Sequence, residues 1–298
     1  MKGKGHGQGK LGGKKEGGLV EEIGVVAGRR EEVQRADGYR GMQQKIKIEK
    51  KDGENLVGML HETGSNGIVI ACHGFLCTKD QPIIVNLAMA LENAGISVFR
   101  FDFTGNGESD GTFQYGNYHK EVEDIRAVIE YFSGVNRKII AIVGHSKGAN
   151  VVLLYASKYH DVDLVVNVSG RYYLDRGIEV RLGADFMERI KNNGFIDLPN
   201  QGKVHRVTKE SLMERLSINM HDTCLSIDEK CRVVTIHGSK DKVVKLEEAS
   251  EFKNVLTNHQ IHIIKRANHG YIKHQAELAS IVVFSIKELL HLSNNTIV

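Results

Sequence analysis

The chain has 298 residues, of which 41% are hydrophobic and 26% are charged, so it can bury a substantial core. Five lysines and one glutamate in residues 1–18 account for the net charge of +3, because the rest of the chain holds 35 basic and 36 acidic residues. A nearly neutral body argues against nucleic acid as the main partner. The sequence has no apolar stretch of about 18 residues and no secretory signal, so we expect no membrane span and a cytoplasmic protein.

Residues 1–43 are predicted to be a Gly/Lys-rich disordered tail and a linker. Residues 1–18 contain eight glycines and one leucine. Such a segment buries too little apolar surface to offset the entropy lost on ordering. A basic tail that binds nucleic acid is the alternative, which the excess of glycine over arginine disfavours.

From residue 44 the pattern alternates between strands and helices. A β-hairpin around Asp52-Gly53 comes first. The strands predicted after it are 66–74, 96–103, 138–145, 163–170, 231–238 and 260–267, and the helices are 82–95, 119–132, 147–159, 246–256 and 277–292. This alternation predicts an α/β fold with a mainly parallel, doubly wound sheet. The alternation stops at about 171–228, which we interpret as a cap insertion over one edge of the sheet.

The four cysteines are expected to be reduced. They are Cys72, Cys77, Cys224 and Cys231, and no two of them have the Cys-x-x-Cys spacing. Zinc binding is the alternative, but small buried hydrophobic side chains explain their positions better. We therefore expect no metal site.

The segment Gly144-His145-Ser146-Lys147-Gly148 lies where a predicted strand passes into a predicted helix. Its pattern is G-x-S-x-G, whose glycines leave room for a sharp turn that lifts the serine hydroxyl above the sheet. Ligands of doubly wound sheets bind outside the carboxyl ends of the strands, where this serine stands. We interpret Gly144 and Gly148 as a nucleophile elbow around Ser146. The alternative is that the glycines only allow close packing of strand against helix.

A serine hydroxyl becomes a nucleophile only with a base and an orienting carboxylate. His269 follows the last predicted strand, and Asp241 follows the strand before it. The chain order serine, aspartate, histidine is the order that accompanies such an elbow. Other candidates lie within a predicted strand, near the start of the last predicted helix or within the insertion, namely His237, His262, His274, Asp222 and Asp228. We therefore predict a triad of Ser146, Asp241 and His269.

The apolar run 66–74 ends in the turn His73-Gly74, which follows the strand proper at 67–72 and supplies a place for an oxyanion hole. The backbone N–H groups of Phe75 and Lys147 could point at one site there. Two such donors stabilise a tetrahedral intermediate, and the loss of one costs about 3 kcal/mol in the barrier. The N–H of residue 75 therefore matters more than its side chain.

With these residues placed, the segment 44–292 resembles the α/β-hydrolase fold family. It looks most like the small esterase/lipase branch, which includes cinnamoyl and feruloyl esterases, monoacylglycerol-lipase-like enzymes and similar plant proteins. The resemblance is carried by "ACHGFLCTKD", "FRFDFTGNGESDGTF", "VGHSKGANVV", "VVTIHGSKDKVV" and "RANHGY". It implies that Ser146 is the nucleophile, His269 the base and Asp241 its orienter.

The resemblance also implies a reaction. We expect a serine hydrolase that cleaves a carboxylic ester of a small or medium acyl group, hydroxycinnamoyl included, through an acyl-enzyme and without a cofactor. Thioester or amide hydrolysis, acyl transfer, and a non-catalytic ligand receptor remain alternatives. Tyr172 and Phe186 of the cap are candidates for lining the acyl site, although aromatic residues of a cap can equally form its own core.

Overall fold

The structure, a computed structural model, describes residues 30–34, 40–200 and 202–295. Most of the predicted tail and linker, residues 1–29 and 35–39, therefore lies outside the described residues. Two strands begin before residue 44, however, so the folded sheet starts earlier than the sequence pattern predicts. The charged segment Arg30–Gln34 carries no apolar alternation that would identify it as a strand.

One large sheet runs through the described part of the chain, with the strand order β1-β2-β3-β5-β4-β6-β7-β10-β11. Its strands are β1 (Arg30–Gln34), β2 (Arg40–Glu49), β3 (Asn55–Glu62), β4 (Gly67–Cys72), β5 (Ser97–Phe101), β6 (Lys138–His145), β7 (Leu164–Val168), β10 (Arg232–Gly238) and β11 (His259–Ile264). Across the sheet, the six neighbouring strands β5, β4, β6, β7, β10 and β11 pair in parallel. At one edge, β1 pairs antiparallel with β2, β2 with β3, and β3 with β5. The predicted hairpin and the mainly parallel sheet are thus confirmed.

Helices cover both faces of this sheet. Those of the described residues are α1 (Pro82–Asn93), α2 (Tyr118–Gly134), α3 (Lys147–Tyr159), α4 (Glu179–Leu182), α5 (Phe186–Asn193), α6 (Lys209–Ser217), α7 (Met220–Leu225), α8 (Leu246–Val255) and α9 (Gln275–Asn295). Helices α2, α3 and α8 pack on one face, and α1 and α9 pack on the other. None of these helices is long and apolar enough to cross a bilayer.

The central strands are buried on both sides, which explains their continuous apolar runs. Val69 and Ile70 of β4 follow each other in the chain and belong to the cores on opposite faces, as the alternation of side chains along a strand requires. Pro82 begins α1, where its missing N–H costs no hydrogen bond. The sheet therefore holds the carboxyl ends of β4, β6, β10 and β11 together at one rim.

Residues between β7 and β10 form the segment that the sequence interprets as a cap. It contains α4 to α7 and a two-stranded antiparallel sheet of β8 (Phe195–Asn200) and β9 (Lys203–Thr208). The hairpin is a difference from the sequence pattern, because Pro199 within β8 disfavours a strand prediction. Helix α7 departs in another way, since its Met220 and Cys224 pack into the main core with α3.

The apolar cluster of the cap combines α4, α5, α6, β8 and β9. Its buried members are Tyr115, Ile178, Leu182, Ile190, Ile196, Val207 and Leu212. Phe75, from the loop after β4, packs against this cluster. The cap is thereby joined to the rim of the sheet where the predicted site lies.

Candidate active site

Ser146 stands on a strained turn between β6 and α3. Its φ of 57° and ψ of −117° lie outside the regions that residues with a Cβ prefer. Its N–H donates to the carbonyl oxygen of Val168 at 2.8 Å, which ties the turn to the end of β7. A Cβ at Gly144 would overlap the carbonyl oxygen of Gly148, and a Cβ at Gly148 would overlap that of His73. Only glycine fits at these two positions.

The replacement Gly148→Ala should destabilise the fold by about 1 to 3 kcal/mol. The new methyl group would meet the backbone of His73 and Cys72, which cannot move away as a side chain would. Gly270→Ala is the matched control, because a Cβ there meets only the Ile272 side chain at 3.7 Å. Urea unfolding of both variants measures the effect, and equal midpoints would contradict the packing explanation.

His269 and Asp241 reach Ser146 from the loops after β11 and β10. The Nε2 atom of His269 lies 2.9 Å from the Oγ of Ser146, and its Nδ1 lies 2.7 Å from the Oδ2 of Asp241. Asp241 is buried, whereas the side chain of His269 is 18% exposed. The structure therefore brings together the three side chains that sequence reasoning selected.

The hydrogen bonds also determine which ring nitrogen of His269 carries the proton. Burial alone would raise the pKa of Asp241, but hydrogen bonds from His269 and from the amides of Val244 and Val243 outweigh burial and lower it. An ionised carboxylate only accepts hydrogen bonds, so Nδ1 of His269 donates to it. Nε2 is then free to accept the proton of the Ser146 hydroxyl.

The predicted oxyanion loop passes close to the serine. A Cβ on Gly74 would lie 3.3 Å from the Cβ of Ser146. The N–H groups of Phe75 and Lys147 donate to no acceptor among the described residues. Both are therefore free to donate to a bound oxygen, as the donors of an oxyanion hole have to be.

His73 holds this loop in place, a contribution that the sequence did not reveal. Its Nε2 accepts the N–H of Phe103 at 3.1 Å, so its Nδ1 carries the proton and donates to the carbonyl oxygen of Gly74 at 2.8 Å. In a trans peptide the Gly74 carbonyl and the Phe75 N–H point in opposite directions. His73 therefore sets the direction of the Phe75 N–H.

Gln81 and His145 connect the oxyanion loop to the loop of the base. Gln81 Oε1 accepts the N–H of Gly74 at 3.1 Å, and Gln81 Nε2 donates to Nδ1 of His145 at 3.0 Å. His145 must then donate from Nε2 to the carbonyl oxygen of His269, 2.9 Å away. Sequence reasoning treated His145 only as a variable position of the elbow motif, because none of these partners is near it in the chain.

Acidification should destabilise the protein through these buried histidines. Burial lowers the pKa of His145 to about 3 and that of His73 to about 4. Unfolded histidines have a pKa near 6.5, so between pH 6.5 and about 4 the unfolded state binds more protons than the folded state. The free energy of unfolding therefore decreases as the pH is lowered through this range. At pH 4.5 each ring should cost about 2 to 3 kcal/mol relative to pH 7.

A His145→Gln variant measures the share of one ring. Between pH 7 and pH 4.5 the unfolding free energy of the variant should fall by about 2 to 3 kcal/mol less than that of the natural chain. Chemical denaturation at the two pH values gives this difference for both proteins. An unchanged pH dependence in the variant would mean that His145 does not stay neutral in the fold.

Lys147 carries a buried ion pair directly after the nucleophile. Its Nζ lies 2.6 Å from Oε1 of Glu121 and 4.9 Å from the centre of the Tyr118 ring. Burial raises the pKa of Glu121 to about 7, although the attraction of Lys147 acts against that rise. The Lys147 side chain thus packs against α2, while its N–H remains available at the elbow.

A small cavity of about 40 Å³ opens on Ser146. Phe75, Tyr118 and Asn150 are among the residues that line it, together with side chains of α4 and α6. The two aromatic residues proposed from the sequence do not line this cavity. Tyr172 packs against Phe252 and bonds to His221, and Phe186 packs in the cap cluster. Tyr172 therefore belongs to the main core of the protein, and the half-buried Phe186 belongs to the cap.

None of the rejected candidates hydrogen-bonds to Ser146 in the described structure, although Nε2 of His237 lies 3.6 Å from Oδ2 of Asp241. His262 is a half-buried residue of β11, and Nε2 of His237 donates to the carbonyl oxygen of Val244. Asp222 is exposed and helps to begin α7. No group of side chains suited to a metal ion occurs among the described residues, and the four cysteines there are free.

The chain is similar to known proteins in sequence and in fold. Residues 63–222 match the family described as serine aminopeptidase, S33. The protein YDL057W of Saccharomyces cerevisiae is 24% identical over 230 residues, which are 69% of this chain and 69% of the yeast protein.

Solved structures of esterases have a similar shape. Est1E from Butyrivibrio proteoclasticus with ferulic acid bound has a TM-score of 0.71 and 22% identity, over 82% of this chain and 99% of that chain. The esterase Pf2001 of Pyrococcus furiosus has a TM-score of 0.65 and 23% identity, over 83% of this chain and 93% of that chain. At such identities the likeness concerns the fold.

Proposed function

We propose that this chain, which belongs to the serine aminopeptidase S33 family, is a carboxylic ester hydrolase. The proposal is supported by the hydrogen bonds that connect Ser146, His269 and Asp241. Its fold is the α/β-hydrolase fold, as predicted. The observation that carries the proposal is the continuous pair of hydrogen bonds from the serine hydroxyl through the imidazole to the buried carboxylate.

The proposed reaction has two steps on one serine. Oγ of Ser146 attacks the ester carbonyl carbon while Nε2 of His269 takes the hydroxyl proton, and the N–H groups of Phe75 and Lys147 stabilise the oxyanion. His269 then gives the proton to the departing alcohol. Water attacks the acyl-enzyme by the same route, which releases the acid and restores Ser146. None of these steps uses a metal or a cofactor.

An ester is favoured over an amino-terminal peptide by the charge beside the serine. An aminopeptidase has to bind the cationic amino group of its substrate, for which carboxylates are the usual partners. The cavity is lined by four basic residues, Lys147, Arg171, Arg181 and Arg215, and by no described aspartate or glutamate. A free amino group would be repelled there. Similarity to structures named as esterases also supports the ester, with small, medium and hydroxycinnamoyl groups as candidates for the acyl part.

The proposal is tested with p-nitrophenyl acetate and butyrate, methyl ferulate and monoacylglycerols on the full chain. We expect a burst of p-nitrophenol equal to the enzyme concentration, and labelling by a fluorophosphonate probe, both lost in Ser146→Ala. Turnover of methyl ferulate beyond that of the short esters would select the hydroxycinnamoyl acyl group. Absence of both turnover and labelling would contradict the enzyme and favour a ligand receptor with the same cavity.

A further inference from the structure

The cavity beside Ser146 carries more positive charge than its surroundings compensate. Two of its four cations have carboxylate partners behind the cavity wall. Lys147 pairs with Glu121 at 2.6 Å, and Arg171 pairs with the buried Glu248 at 3.2 Å. These two carboxylates do not themselves line the cavity. The charges of the other two cations have to be balanced in another way.

Arg215 of α6 is the clearest case. It is only 9% exposed, and its Nε donates to the carbonyl oxygen of Leu174 at 2.8 Å. Its guanidinium also lies 5.2 Å from the centre of the Tyr115 ring. No carboxylate among the described residues pairs with it. A buried cation that has only neutral partners is costly unless an anion approaches it.

Arg181 of α4 adds a second uncompensated charge at the same cavity. Its guanidinium lies 4.5 Å from the centre of the Phe75 ring, which covers one of its faces although the residue as a whole is exposed. Desolvation, followed by repulsion from Arg215 and Arg171, lowers its pKa. No described aspartate or glutamate pairs with it either. Two guanidinium groups therefore share one small space beside the nucleophile.

The size of the cavity limits what can neutralise them. A volume of about 40 Å³ corresponds to about three water molecules on the same measure, since each occupies about 10 to 15 Å³. A carboxylate or phosphate group fits such a space. Guanidinium groups bind these planar or tetrahedral anions through two parallel hydrogen bonds, a geometry that an uncharged alkyl chain cannot use.

The surface next to the active site is also positively charged. A groove of about 560 Å³ runs beside His269 and is lined by Lys240, Lys242, Arg266 and Lys273, with no acidic residue. Such a surface raises the local concentration of anions and speeds their encounter. Two neighbouring surfaces on either side of the triad therefore favour a negatively charged substrate.

Resting on the proposed ester hydrolysis, we infer that the substrate carries an anionic group, a carboxylate or a phosphate, that binds Arg215 and Arg181 while its ester carbonyl lies at Ser146. The anion can belong to the acyl part, as in a half-ester of a dicarboxylic acid. It can also belong to the alcohol part, as in an ester of a phosphorylated alcohol. Both sources present the same chemistry to the two guanidinium groups.

Matched esters test this inference on the full chain. The first pair is the p-nitrophenyl monoester of glutaric acid against p-nitrophenyl valerate, which have acyl groups of equal length. The second pair is monobutyrylglycerol phosphate against monobutyrylglycerol. We expect kcat/KM to favour the anionic member of at least one pair by about ten-fold or more, the effect of hydrogen bonds to a charged group. The pair that shows this preference identifies the source of the anion.

Arg181→Gln should reduce that preference by about ten-fold, because the exposed cap position tolerates a neutral side chain. Arg176→Gln is the control, since Arg176 is an exposed cap arginine over the Tyr173 ring that does not line the cavity. Arg215→Gln should reduce the preference for the anionic ester as Arg181→Gln does, provided that the Arg215→Gln protein unfolds at a normal temperature. If Arg215→Gln does not fold, the result with Arg181→Gln alone tests the inference. No preference in either ester pair, or a preference that survives Arg181→Gln, would overturn the inference.

Failure of the inference is distinguishable from failure of the proposed function. Hydrolysis of the neutral esters that is lost in Ser146→Ala, without an anionic preference, removes only the inference. If no ester is turned over, calorimetry with monomethyl glutarate and glycerol phosphate on Ser146→Ala still decides it. Binding of either compound that Arg181→Gln weakens supports the anion site, whereas no binding at millimolar concentration overturns it.

Discussion

Replacing His269 with alanine should lower kcat for the best ester substrate by about six orders of magnitude, the loss seen when a serine hydrolase loses its base. The structure gives His269 both contacts of a base, to Ser146 at 2.9 Å and to Asp241 at 2.7 Å. No other described histidine ring bonds to the serine. Steady-state kinetics with the p-nitrophenyl ester measures the loss.

His262→Ala is the matched control for that experiment. His262 lies in β11, seven positions before the base, and has neither contact. Its replacement should change kcat by only a few-fold. The double variant Ser146→Ala with His269→Ala should be no slower than either single variant, because the two groups act as one unit. Equal losses in His262→Ala and His269→Ala would mean that the site has been placed wrongly.

Asp241→Asn should lower kcat by about four orders of magnitude without unfolding the protein. Oδ1 of Asp241 accepts the N–H groups of Val243 and Val244, and an asparagine oxygen can keep both bonds. The amide nitrogen then faces Nδ1 of His269 and donates to it. This change moves the ring proton to Nε2, where it blocks acceptance of the serine proton.

The same variant separates orientation from stability. Its unfolding midpoint should stay close to that of the natural chain, while kcat falls. Asp222→Asn serves as control, because this exposed aspartate lies at the start of α7 and should leave kcat unchanged. An Asp241→Asn enzyme with nearly full activity would show that the carboxylate does not select the tautomer of His269.

Local patterns were sufficient for the framework of this protein. Strands buried on both faces need unbroken apolar runs, and helices on a sheet need a repeating apolar face, so β4, β6, α2 and α3 are readable from neighbouring residues. The G-x-S-x-G segment is also a local pattern, although the backbone that a Cβ at Gly148 would meet belongs to the distant Cys72 and His73. Failures occurred where the pattern is weak. Strand β1 is charged, and β8 contains Pro199.

Local sequence patterns did not predict which residues distant in the chain pack together or form hydrogen bonds. Tyr172 and Phe186 were assigned to the acyl site because they are aromatic residues of the cap, yet Tyr172 packs in the main core and Phe186 packs against the cap cluster. His145 and Gln81 were passed over, although together they join the oxyanion loop to the base loop. Such a hydrogen bond depends on how two distant segments lie relative to each other in the fold, and local patterns in a single sequence do not show this.

The sequence by itself determined the alternating α/β order, the elbow at Ser146 and the chain positions of Asp241 and His269, since each depends on residues within one short segment. Only the tertiary structure decided the charge of the cavity. Lys147, Arg171, Arg181 and Arg215 come from four separate stretches, and their net charge is positive because only Lys147 and Arg171 have carboxylate partners among the described residues. Coulomb energy follows distance through space, which the fold sets.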